Sequence, residues 1–407
     1  ALIAVGTQPR WKELFPQQYV LVKDARKALA YIAAGFNDFP ARKMTVIGVT
    51  GTDGKTTTTH LIFQILRQAG LKAGMISTVN AVIEDEIIDT GFHVTTPEAP
   101  VVQALLARMV AHGLNYVVLE ATSHGLAQQR VAACEFDIGV FTNITHEHLD
   151  YHGTYENYLH TKAKLIEYLA QTRPKENGAI RLTVLNKDDL SYQHLKKILE
   201  KEEYGSVRVI AYSRKEKADI YSIQEEQTSN GLKVCICMNG EAIEIESKLV
   251  GSYNVSNILA AVGATVGGLG IKPEVAREGI ASFTGVSGRM ERIELGQKFT
   301  AIVDFAHTPN ALKVALETAC AISKGRVIAI FGSAGLRDRE KRRMMAAEGI
   351  RQADICIFTA EDPRTENLED ILNEMQIAAQ QAGGVGGKNF FVEPDRANAI
   401  RLGTQLA

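Results

Sequence analysis

The sequence predicts an α/β protein with two mostly parallel sheets and an antiparallel patch between them. Short β-branched runs alternate with helical segments between residues 43 and 165, and the same alternation returns after residue 299. Between about 205 and 250, apolar and polar residues alternate one by one, with Asn-Gly turns between the runs. Strands separated by helices pair in parallel, whereas strands separated by tight turns pair antiparallel.

The composition is that of a globular protein with two or three domains. The chain has 407 residues, of which 45% are hydrophobic and 23% are charged. Its 45 basic and 47 acidic residues give a net charge of −2, which offers no electrostatic argument for nucleic acid or an anionic membrane. No apolar run reaches the roughly 18 residues of a spanning helix, and no signal peptide is visible. Five scattered cysteines indicate reduced thiols and a cytoplasmic protein.

The first alternating region contains three runs that are typical of buried strands. They are "KMTVIGVT" (43–50), "LNYVVLEAT" (114–122) and "FDIGVFTNI" (136–144). Apolar residues recur at helical spacing over 56–70 and 97–113, which predicts two helices between these strands. Ligands of parallel α/β sheets bind at the carboxyl ends of the strands. Polar residues that directly follow these runs are therefore the candidates for a functional site.

The later part of the chain changes pattern twice. The runs "VRVIAY", "IYSIQEE", "LKVCICM" and "EAIEIES" predict the antiparallel patch, and a helix follows over 254–270. The second α/β pattern has its strands at 299–305, 326–332, 353–359 and 389–393. We place a domain boundary near 284–288, between the two patterns.

The stretch "GVTGTDGKTTTTH" (48–60) predicts a phosphate-binding loop. A strand, a Gly-rich turn and a helix start direct several backbone N–H groups at one anion. The usual pattern is G-x-x-x-x-G-K-[ST], and here Val49 stands at the first glycine position while Gly51 lies inside the loop. In such loops the lysine, here Lys55, reaches the β- and γ-phosphates, and the hydroxyl at Thr56 binds Mg²⁺. A flexible turn is the alternative, but the flanking strand and helix favour the phosphate site.

Two further strand ends carry titratable residues. Glu120 ends a buried strand, where it either caps the next helix or binds Mg²⁺, and the residues alone leave both interpretations open. After the next strand stand His146, Glu147, His148, Asp150 and His152. A zinc site is the competing interpretation of this cluster, although phosphate chemistry favours an ion that prefers oxygen. Lys162 and Lys164 follow on a helix, where two solvated lysines are the ordinary expectation.

The second α/β domain also has charged strand ends. Asp304 and His307 lie in "VDFAHTPNAL", Arg337 lies in "FGSAGLRDREKRRMM", and Asp362 and Arg364 lie in "TAEDPRTENLEDI". Singly these stretches are ordinary loops. Together they predict a domain that holds a charged co-substrate, with the nucleotide in the other domain and the cleft between them as the site.

These residues resemble, in order, the Mur ligase family. The resemblance covers about residues 20–402 and rests on "GVTGTDGKTTT", "EATSHGLAQQRV", "TNITHEHLDYHGTYENYLHTKAKL", "GSYNVSNILAA", "GRMERIE", "VDFAHTPNAL", "GLRDREKR" and "EDPRTE". It implies an ATP-dependent amide ligase that works through an acyl phosphate. The implied reaction adds a third amino acid, meso-diaminopimelate or lysine, to UDP-N-acetylmuramoyl-dipeptide in peptidoglycan synthesis.

The resemblance also implies roles for individual residues. The implied ATP site comprises Gly51, Thr52, Gly54, Lys55, Thr56, Thr57, Asn257, Arg289 and Asp304. The implied Mg²⁺ ligands, for two ions, are Thr56, Glu120, His148 and a carbamylated Lys162. The implied catalytic residues are Lys55, Lys162 and His148. The implied substrate residues are Thr95, Thr96, Ser123, Gln128, Arg130, His307, Arg337, Asp362 and Arg364.

The sequence departs from the family pattern in one place that bears on the amino acid. Family members that use diaminopimelate typically have Asp-Asn-Pro-Arg where this chain has Glu361-Asp362-Pro363-Arg364. Arg364 favours an amino acid with a distal carboxylate, because arginine binds carboxylates in a bidentate manner. Asp362 adds a charge that suits a distal ammonium such as that of lysine. We favour diaminopimelate.

The ends of the chain are short for this family. The expected domains are 1–42, a remnant of the N-terminal domain or a linker; 43–285, a central P-loop ATPase-like domain; and 286–407, a Rossmann-like domain truncated at its end. A UDP-binding domain and a Gly-Lys-Gly-His-Glu stretch are missing, so this chain is a fragment or a relative that does not bind UDP. The alternatives are therefore a ligase acting on folate or a poly-amino acid, or a non-catalytic nucleotide-binding module. We expect a cytoplasmic monomer with small-molecule partners.

Overall fold

The computed structural model describes residues 3–89, 96–145, 149–175, 180–228, 231–336 and 338–407. The chain forms two compact units. The first comprises Ala1–Glu226, Lys233–Lys248 and Tyr253–Thr284, and the second comprises Gln227–Leu232, Leu249–Ser252 and Gly285–Ala407. Among the helices of the described residues, none combines the length and the apolar character that a membrane crossing requires.

Strands and helices alternate along most of the chain. The strands are β1 (Ala4–Gly6), β2 (Tyr19–Leu21), β3 (Thr45–Thr50), β4 (Ala73–Ile76), β5 (Ala81–Ile83), β6 (Glu86–Ile88), β7 (Tyr116–Glu120), β8 (Ile138–Phe141), β9 (Leu182–Asn186), β10 (Arg208–Ser213), β11 (Ile220–Thr228), β12 (Gly231–Met238), β13 (Glu241–Ser247), β14 (Glu291–Ile293), β15 (Ala301–Val303), β16 (Ile328–Phe331), β17 (Ile355–Phe358) and β18 (Phe390–Val392). The helices are α1 (Pro9–Leu14), α2 (Ala25–Phe36), α3 (Lys55–Gln68), α4 (Ala99–Ala111), α5 (Ser123–Ala127), α6 (Leu149–His152), α7 (Tyr155–Gln171), α8 (Tyr192–Leu199), α9 (Asn254–Val262), α10 (Pro273–Ser282), α11 (Pro309–Ile322), α12 (Arg339–Gln352), α13 (Leu368–Gln381) and α14 (Arg396–Leu406).

The main sheet has a parallel centre. Within the described residues its order is β13-β12-β11-β10-β9-β8-β3-β7-β4-β5-β6, and the pairs from β10 to β4 are parallel. Every residue of β3 is buried, as expected for a central strand with both faces covered. Val49 of β3 pairs with Glu120 of β7 and with Val140 of β8. The carboxyl ends of these three strands therefore meet at one edge, as the sequence predicts.

The run "VRVIAY" was assigned wrongly to the antiparallel patch. It forms β10, which pairs in parallel with β9 from Arg208↔Leu182 to Tyr212↔Asn186 and in parallel with β11. Helix α8 lies between β9 and β10 and returns the chain to run in the same direction. The apparent alternation reflects only the exposed start of β10, because its last four residues are all buried.

The turns and short strands next to the parallel centre differ in how well the sequence reveals them. Asn239 and Gly240 join β12 to β13 with φ angles of 53° and 84°, the left-handed pair that an Asn-Gly hairpin turn requires.

Strands β4, β5 and β6 form an antiparallel meander that the sequence analysis missed. Strands of three or four residues are too short to establish a period, so the pattern could not reveal them.

The helix predicted over 254–270 changes its winding halfway. Helix α9 continues as a π-helical turn over Gly263–Gly268. A Cβ atom on Gly263 would lie 2.7 Å from Val184, and one on Gly268 would lie 2.8 Å from Leu182. The glycines therefore let this turn pack closely on β9.

The second unit contains a three-stranded parallel sheet within the described residues, in the order β16-β17-β18. Side chains from α11, α12 and α13 form its core on one face, and Ala399 and Leu402 of α14 pack on Ile357 and its neighbours. The predicted strand at 299–305 does not join this sheet. It is β15, which pairs antiparallel with β14 because the chain turns back on itself between the two strands.

A buried ion pair holds the start of β3 in the first unit. The Lys175 ammonium donates to Asp137 Oδ2 at 2.6 Å, to Met44 O at 3.0 Å and to Glu135 O at 2.7 Å. The same Asp137 oxygen accepts from the Val46 N–H at 2.8 Å. Burial raises the pKa of the Asp137 carboxyl and lowers the pKa of Lys175. Both charges lose hydration on burial, so the intact pair adds little net stability. Removal of one partner leaves the other charge buried and uncompensated, which destabilises the fold strongly.

We predict that Asp137→Ala lowers the free energy of unfolding by about 3–5 kcal/mol, since it leaves the Lys175 charge buried without its carboxylate. Urea denaturation followed by circular dichroism measures this change. Asp38→Ala is the control, because Asp38 pairs with Lys43 on the surface and its loss has little effect. Equal stability of the two variants would contradict the role of the buried pair.

Candidate functional site

The loop between β3 and α3 has a shape that only glycine permits at two positions. Gly51 has a φ of 152° and Gly54 has a φ of 79°. A Cβ on Gly51 would lie 1.8 Å from Thr142 Oγ1, and one on Gly54 would lie 2.3 Å from Asn257 Oδ1. The loop is therefore enclosed by side chains from β8 and α9 regions that are distant in sequence. Asn257 is 4% exposed and lies against the loop.

The start of α3 offers unpaired backbone N–H groups to an anion. The first turn of α3 itself contains no acidic residue, which favours an anion at this helix terminus. The Lys55 ammonium bends back to donate to Thr52 O at 2.6 Å. Thr52 and Thr57 are buried at the loop and in the first turn. The loop therefore has the form of an anion site with a lysine at its rim.

Glu120 at the end of β7 is buried and hydrogen-bonded from two sides. Its carboxylate accepts from the Thr56 hydroxyl, with distances of 3.2 and 3.1 Å to the two oxygens. It also accepts from the Thr78 N–H at 3.0 Å and the Thr78 hydroxyl at 2.9 Å. Helix α5 is capped by Thr122, whose hydroxyl accepts from the Gly125 N–H at 3.1 Å. Glu120 is therefore not a helix cap, and the capping interpretation is wrong.

The pair formed by Thr56 and Glu120 suits a magnesium ion. A hydroxyl and a carboxylate are hard oxygen ligands of the kind that Mg²⁺ prefers. Within the ranges that the structure describes, no group of three or more His, Cys, Asp and Glu side chains could hold a metal. His146, Glu147 and His148 lie outside the described residues, so the predicted role of His148 stays a prediction.

Lys162 is not a solvated lysine. It lies on α7, is 1% exposed, and donates from its ammonium to Gly51 O at 2.6 Å. Its ammonium lies 4.7 Å from the centre of the Tyr158 ring, and the Tyr158 hydroxyl lies 3.1 Å from Thr52 Oγ1. Helix α7 thus contacts the phosphate loop through two buried side chains. The sequence analysis did not single out Tyr158, although it lies one helical turn before Lys162.

Three of the predicted substrate residues are linked to one another. Arg130 donates to Thr96 O at 2.7 Å and to Gln128 Oε1 at 3.1 and 2.7 Å, and it pairs with Glu98 at 2.8 Å. The Thr96 hydroxyl donates to Glu120 O at 2.9 Å, which joins this group to the strand end of the carboxylate. Ser123 is buried at the start of α5, and Thr95 lies outside the described residues.

In the second unit three predicted residues surround Phe305. The Asp304 carboxylate accepts from the N–H groups of Met290 at 2.8 Å and Ala306 at 2.9 Å, while burial raises the pKa of this carboxyl. The Arg289 guanidinium lies 4.9 Å from the centre of the exposed Phe305 ring. The His307 ring lies 4.9 Å from the same ring on another side.

The predicted amino-acid residues lie on loops that follow β16 and β17 in the second unit. Arg364 Nε lies 3.4 Å from Asp362 Oδ2, and both side chains are partly exposed. The Gly335 N–H donates to Asp362 O at 2.8 Å, so the two loops touch through their backbones. Arg337 lies outside the described residues.

Comparison with known proteins identifies the class. Residues 49–265 match the model of the Mur ligase middle domain, and residues 288–407 match that of the Mur ligase glutamate ligase domain. The chain therefore belongs to the Mur ligase family and is an ATP-dependent ligase.

Relatives with named activities agree with this assignment. UDP-N-acetylmuramoyl-L-alanyl-D-glutamate–2,6-diaminopimelate ligase of Geobacillus thermodenitrificans (strain NG80-2) is 40% identical over 386 residues, which cover 94% of this chain and 75% of that protein. UDP-N-acetylmuramyl-tripeptide synthetase of Roseiflexus sp. (strain RS-1) is 40% identical over 407 residues, 98% of this chain and 79% of that protein.

Solved structures match the whole described fold. A UDP-N-acetylmuramoyl-L-alanyl-D-glutamate–2,6-diaminopimelate ligase superposes with a TM-score of 0.70 at 27% identity, over 98% of this chain and 78% of that one. Folylpolyglutamate synthase of Mycobacterium tuberculosis, complexed with ADP, superposes with a TM-score of 0.74 at 17% identity, over 98% and 90% of the two chains. The second likeness shows a shared fold only.

We predict that Gly54→Ala raises the dissociation constant of ATP at least about tenfold, because the new Cβ displaces the loop from Asn257. Gly70→Ala is the matched control, since Gly70 lies just beyond the other end of α3 with a φ of 71° and nothing within 4 Å of a Cβ. Both variants incur backbone strain of about 1–2 kcal/mol, but only Gly54→Ala should weaken the binding of the nucleotide. Calorimetric titration with ATP measures the affinity. Equal affinities in the two variants would refute the role of the loop.

Proposed function

We propose that this ligase joins meso-diaminopimelate to UDP-N-acetylmuramoyl-L-alanyl-D-glutamate and converts ATP to ADP and phosphate. The names of its relatives at about 40% identity support the substrates. The observation that carries the chemistry is the contact of Thr56 and Glu120 directly beside the phosphate loop. A hydroxyl beside a buried carboxylate is the kind of ligand pair that a nucleotide–magnesium complex would need, which supports the proposal.

The first step transfers a phosphoryl group to the substrate. The glutamate carboxylate of the dipeptide attacks the γ-phosphorus, the bond from that phosphorus to the β-γ bridging oxygen breaks, and ADP leaves with the electron pair. Phosphoryl transfer depends on positioning and on neutralisation of charge. The backbone N–H groups of the loop and the start of α3 bind the phosphates. Lys55 exchanges its contact with Thr52 O for a phosphate oxygen.

Magnesium and a modified lysine complete this half of the site. When bound, Mg²⁺ neutralises the phosphates, and Thr56 and Glu120 would hold it together with His148. We propose that Lys162 carries a carbamate, formed when its neutral amine adds CO₂ and releases a proton. The modified nitrogen keeps one N–H, which can still donate to Gly51 O. The buried cation is thereby replaced by an anionic oxygen group.

The second step forms the amide bond. The amine of diaminopimelate attacks the carbonyl carbon of the acyl phosphate, phosphate leaves with the bonding electrons, and the new amide nitrogen loses a proton. Arg130 is fixed by Thr96 and Gln128, and an anionic group of the dipeptide substrate would take the place of its exposed partner Glu98. Ser123 lies next to this group at the start of α5.

The charges of Asp362 and Arg364 match those at the distal end of diaminopimelate. This end carries both a carboxylate and an ammonium group, which are the two charges complementary to that pair. The contact between Asp362 and Arg364 is exposed and long at 3.4 Å, so the amino acid can replace it at little cost. Lysine offers only the ammonium and leaves Arg364 without a partner.

Amino-acid-dependent release of phosphate tests this function. With ATP and UDP-N-acetylmuramoyl-dipeptide present, we expect turnover with meso-diaminopimelate to exceed that with lysine by at least about tenfold, since one charge–charge contact is lost. Equal turnover with lysine would overturn the proposed amino acid. Turnover with glutamate and a folate or poly-amino-acid acceptor, and none with the UDP substrate, would overturn the proposed function.

We predict that Lys162→Ala reduces kcat by about a hundredfold or more, because it removes a buried charged group beside the phosphates. Lys164→Ala, two residues further along α7, is the control and should keep normal turnover. Added bicarbonate should not restore the Lys162 variant.

A second measurement separates the carbamate from an ordinary lysine. With carbon-13 bicarbonate, the unaltered protein and the Lys164 variant should show a carbamate signal by magnetic resonance, and the Lys162 variant should lack it. Absence of the signal in the unaltered protein would refute carbamylation.

A further inference from the structure

Arg342 is the largest fully buried side chain in the described structure. It lies on α12 and is 0% exposed, a location where arginine is rarely found unless it is paired. Its two terminal nitrogens lie 3.1 and 3.0 Å from the two carboxylate oxygens of Glu366, a bidentate pair. The first of these nitrogens also lies 3.2 Å from Glu374 on α13. We call Arg342, Glu366 and Glu374 the carboxylate clasp.

The clasp connects the loop after β17, which carries Asp362 and Arg364, to the loop after β16. Glu366 Oε2 accepts from the Leu336 N–H at 2.8 Å, and Leu336 directly precedes Arg337 in the sequence. Glu366 itself stands two residues after Arg364. One carboxylate therefore fixes the loop after β16 to the loop after β17.

The backbone shows how closely the two loops are fitted. A Cβ on Gly335 would lie 2.0 Å from Pro363 O, so the loops approach to the limit that glycine allows. The Gly335 N–H donates to Asp362 O at 2.8 Å. The carboxylate clasp is a further contact between the same two loops, so a change at the clasp removes one of the contacts that fix the loop of Asp362 and Arg364.

The electrostatics of the clasp favour a positioning role over a stabilising one. A buried ion pair contributes little net stability, because both charges lose hydration, and apolar residues of similar volume can stabilise as well. The Arg342 guanidinium lowers the pKa of Glu366, and Arg339 adds to this effect. The Glu366 carboxylate of the clasp thus stays ionised at neutral pH. What it provides is a defined geometry for the two loops.

We propose that the carboxylate clasp is the positioning device of the amino-acid site and that Glu366 sets its selectivity. The inference rests on the proposed function, because it assigns Asp362 and Arg364 to the distal end of diaminopimelate. Glu366 does not touch the amino acid. It acts by holding the loop that carries Asp362 and Arg364, so that these two side chains keep the spacing that fits a distal ammonium and a distal carboxylate.

Glu366→Ala and Glu366→Gln test this role. We expect the alanine variant to raise the KM for meso-diaminopimelate by about ten- to a hundredfold, the effect of misplacing a binding group by about an ångström. The KM values for ATP and for the UDP substrate should stay within about twofold, since Glu366 serves only one site. The preference for diaminopimelate over lysine should fall. The glutamine variant keeps an acceptor oxygen for Leu336 N–H and should recover part of the affinity.

Glu369→Ala is the matched control. Glu369 lies three residues further on, in the exposed first turn of α13, and its variant should keep all three KM values. If Glu366→Ala does not fold, Glu366→Gln and Glu374→Gln decide the question. A folded clasp variant whose three KM values are unchanged, or rise alike, overturns the inference.

Phosphate release by the unaltered enzyme distinguishes failure of the proposed function from failure of the clasp inference alone. If it releases no phosphate with diaminopimelate, the proposed function fails. If it does so and the clasp variants bind and select diaminopimelate as it does, only the clasp inference fails.

Discussion

The buried carboxylate of Glu120 needs hydrogen-bond donors, and this need determines which segments of the first unit meet around it. A negative charge at the end of a central strand is tolerated only if donors surround it, and here Thr56 and Thr78 donate to the carboxylate. Thr56 begins the helix of the phosphate loop, Thr78 follows β4, and Thr96 bonds to the Glu120 carbonyl. One residue thereby brings together the phosphate loop, the sheet edge and the segment that contains the proposed substrate residues.

The same device recurs in the second unit. Asp304 accepts two backbone N–H groups where the chain leaves β15, and Glu366 accepts one backbone N–H together with the Arg342 guanidinium. In both cases a carboxylate on the segment that follows a strand accepts a backbone N–H from another segment of the unit. Loops of a ligase must position charged reactants to within fractions of an ångström, and hydrogen bonds to charged groups supply that precision better than apolar packing does.

Local patterns predicted much of the fold and part of the site. The strands around the phosphate loop, the loop itself and the Asn-Gly hairpin depend on periodicity and turn chemistry that neighbouring residues specify. The direction of β10, the partner of β15 and the meander of β4, β5 and β6 do not, because short strands take their partners from the path of the chain. Thr78 escaped notice because it belongs to no recognisable motif. Tyr158 lies within one of the family stretches, but nothing in its sequence position shows that its hydroxyl reaches the phosphate loop.

The sequence by itself determined the chemistry, since Lys55, Thr56, Glu120 and the family motifs stand in a linear order that can be read directly. Only the tertiary structure decided which of these residues lie together. It placed Asn257 against Gly54, buried Lys162 under the loop, and excluded Glu120 as a helix cap. It also revealed Arg342, which in sequence is one of several basic residues on a helix. The physical reason is that burial and pairing of charge depend on contacts between distant segments, which no local pattern encodes.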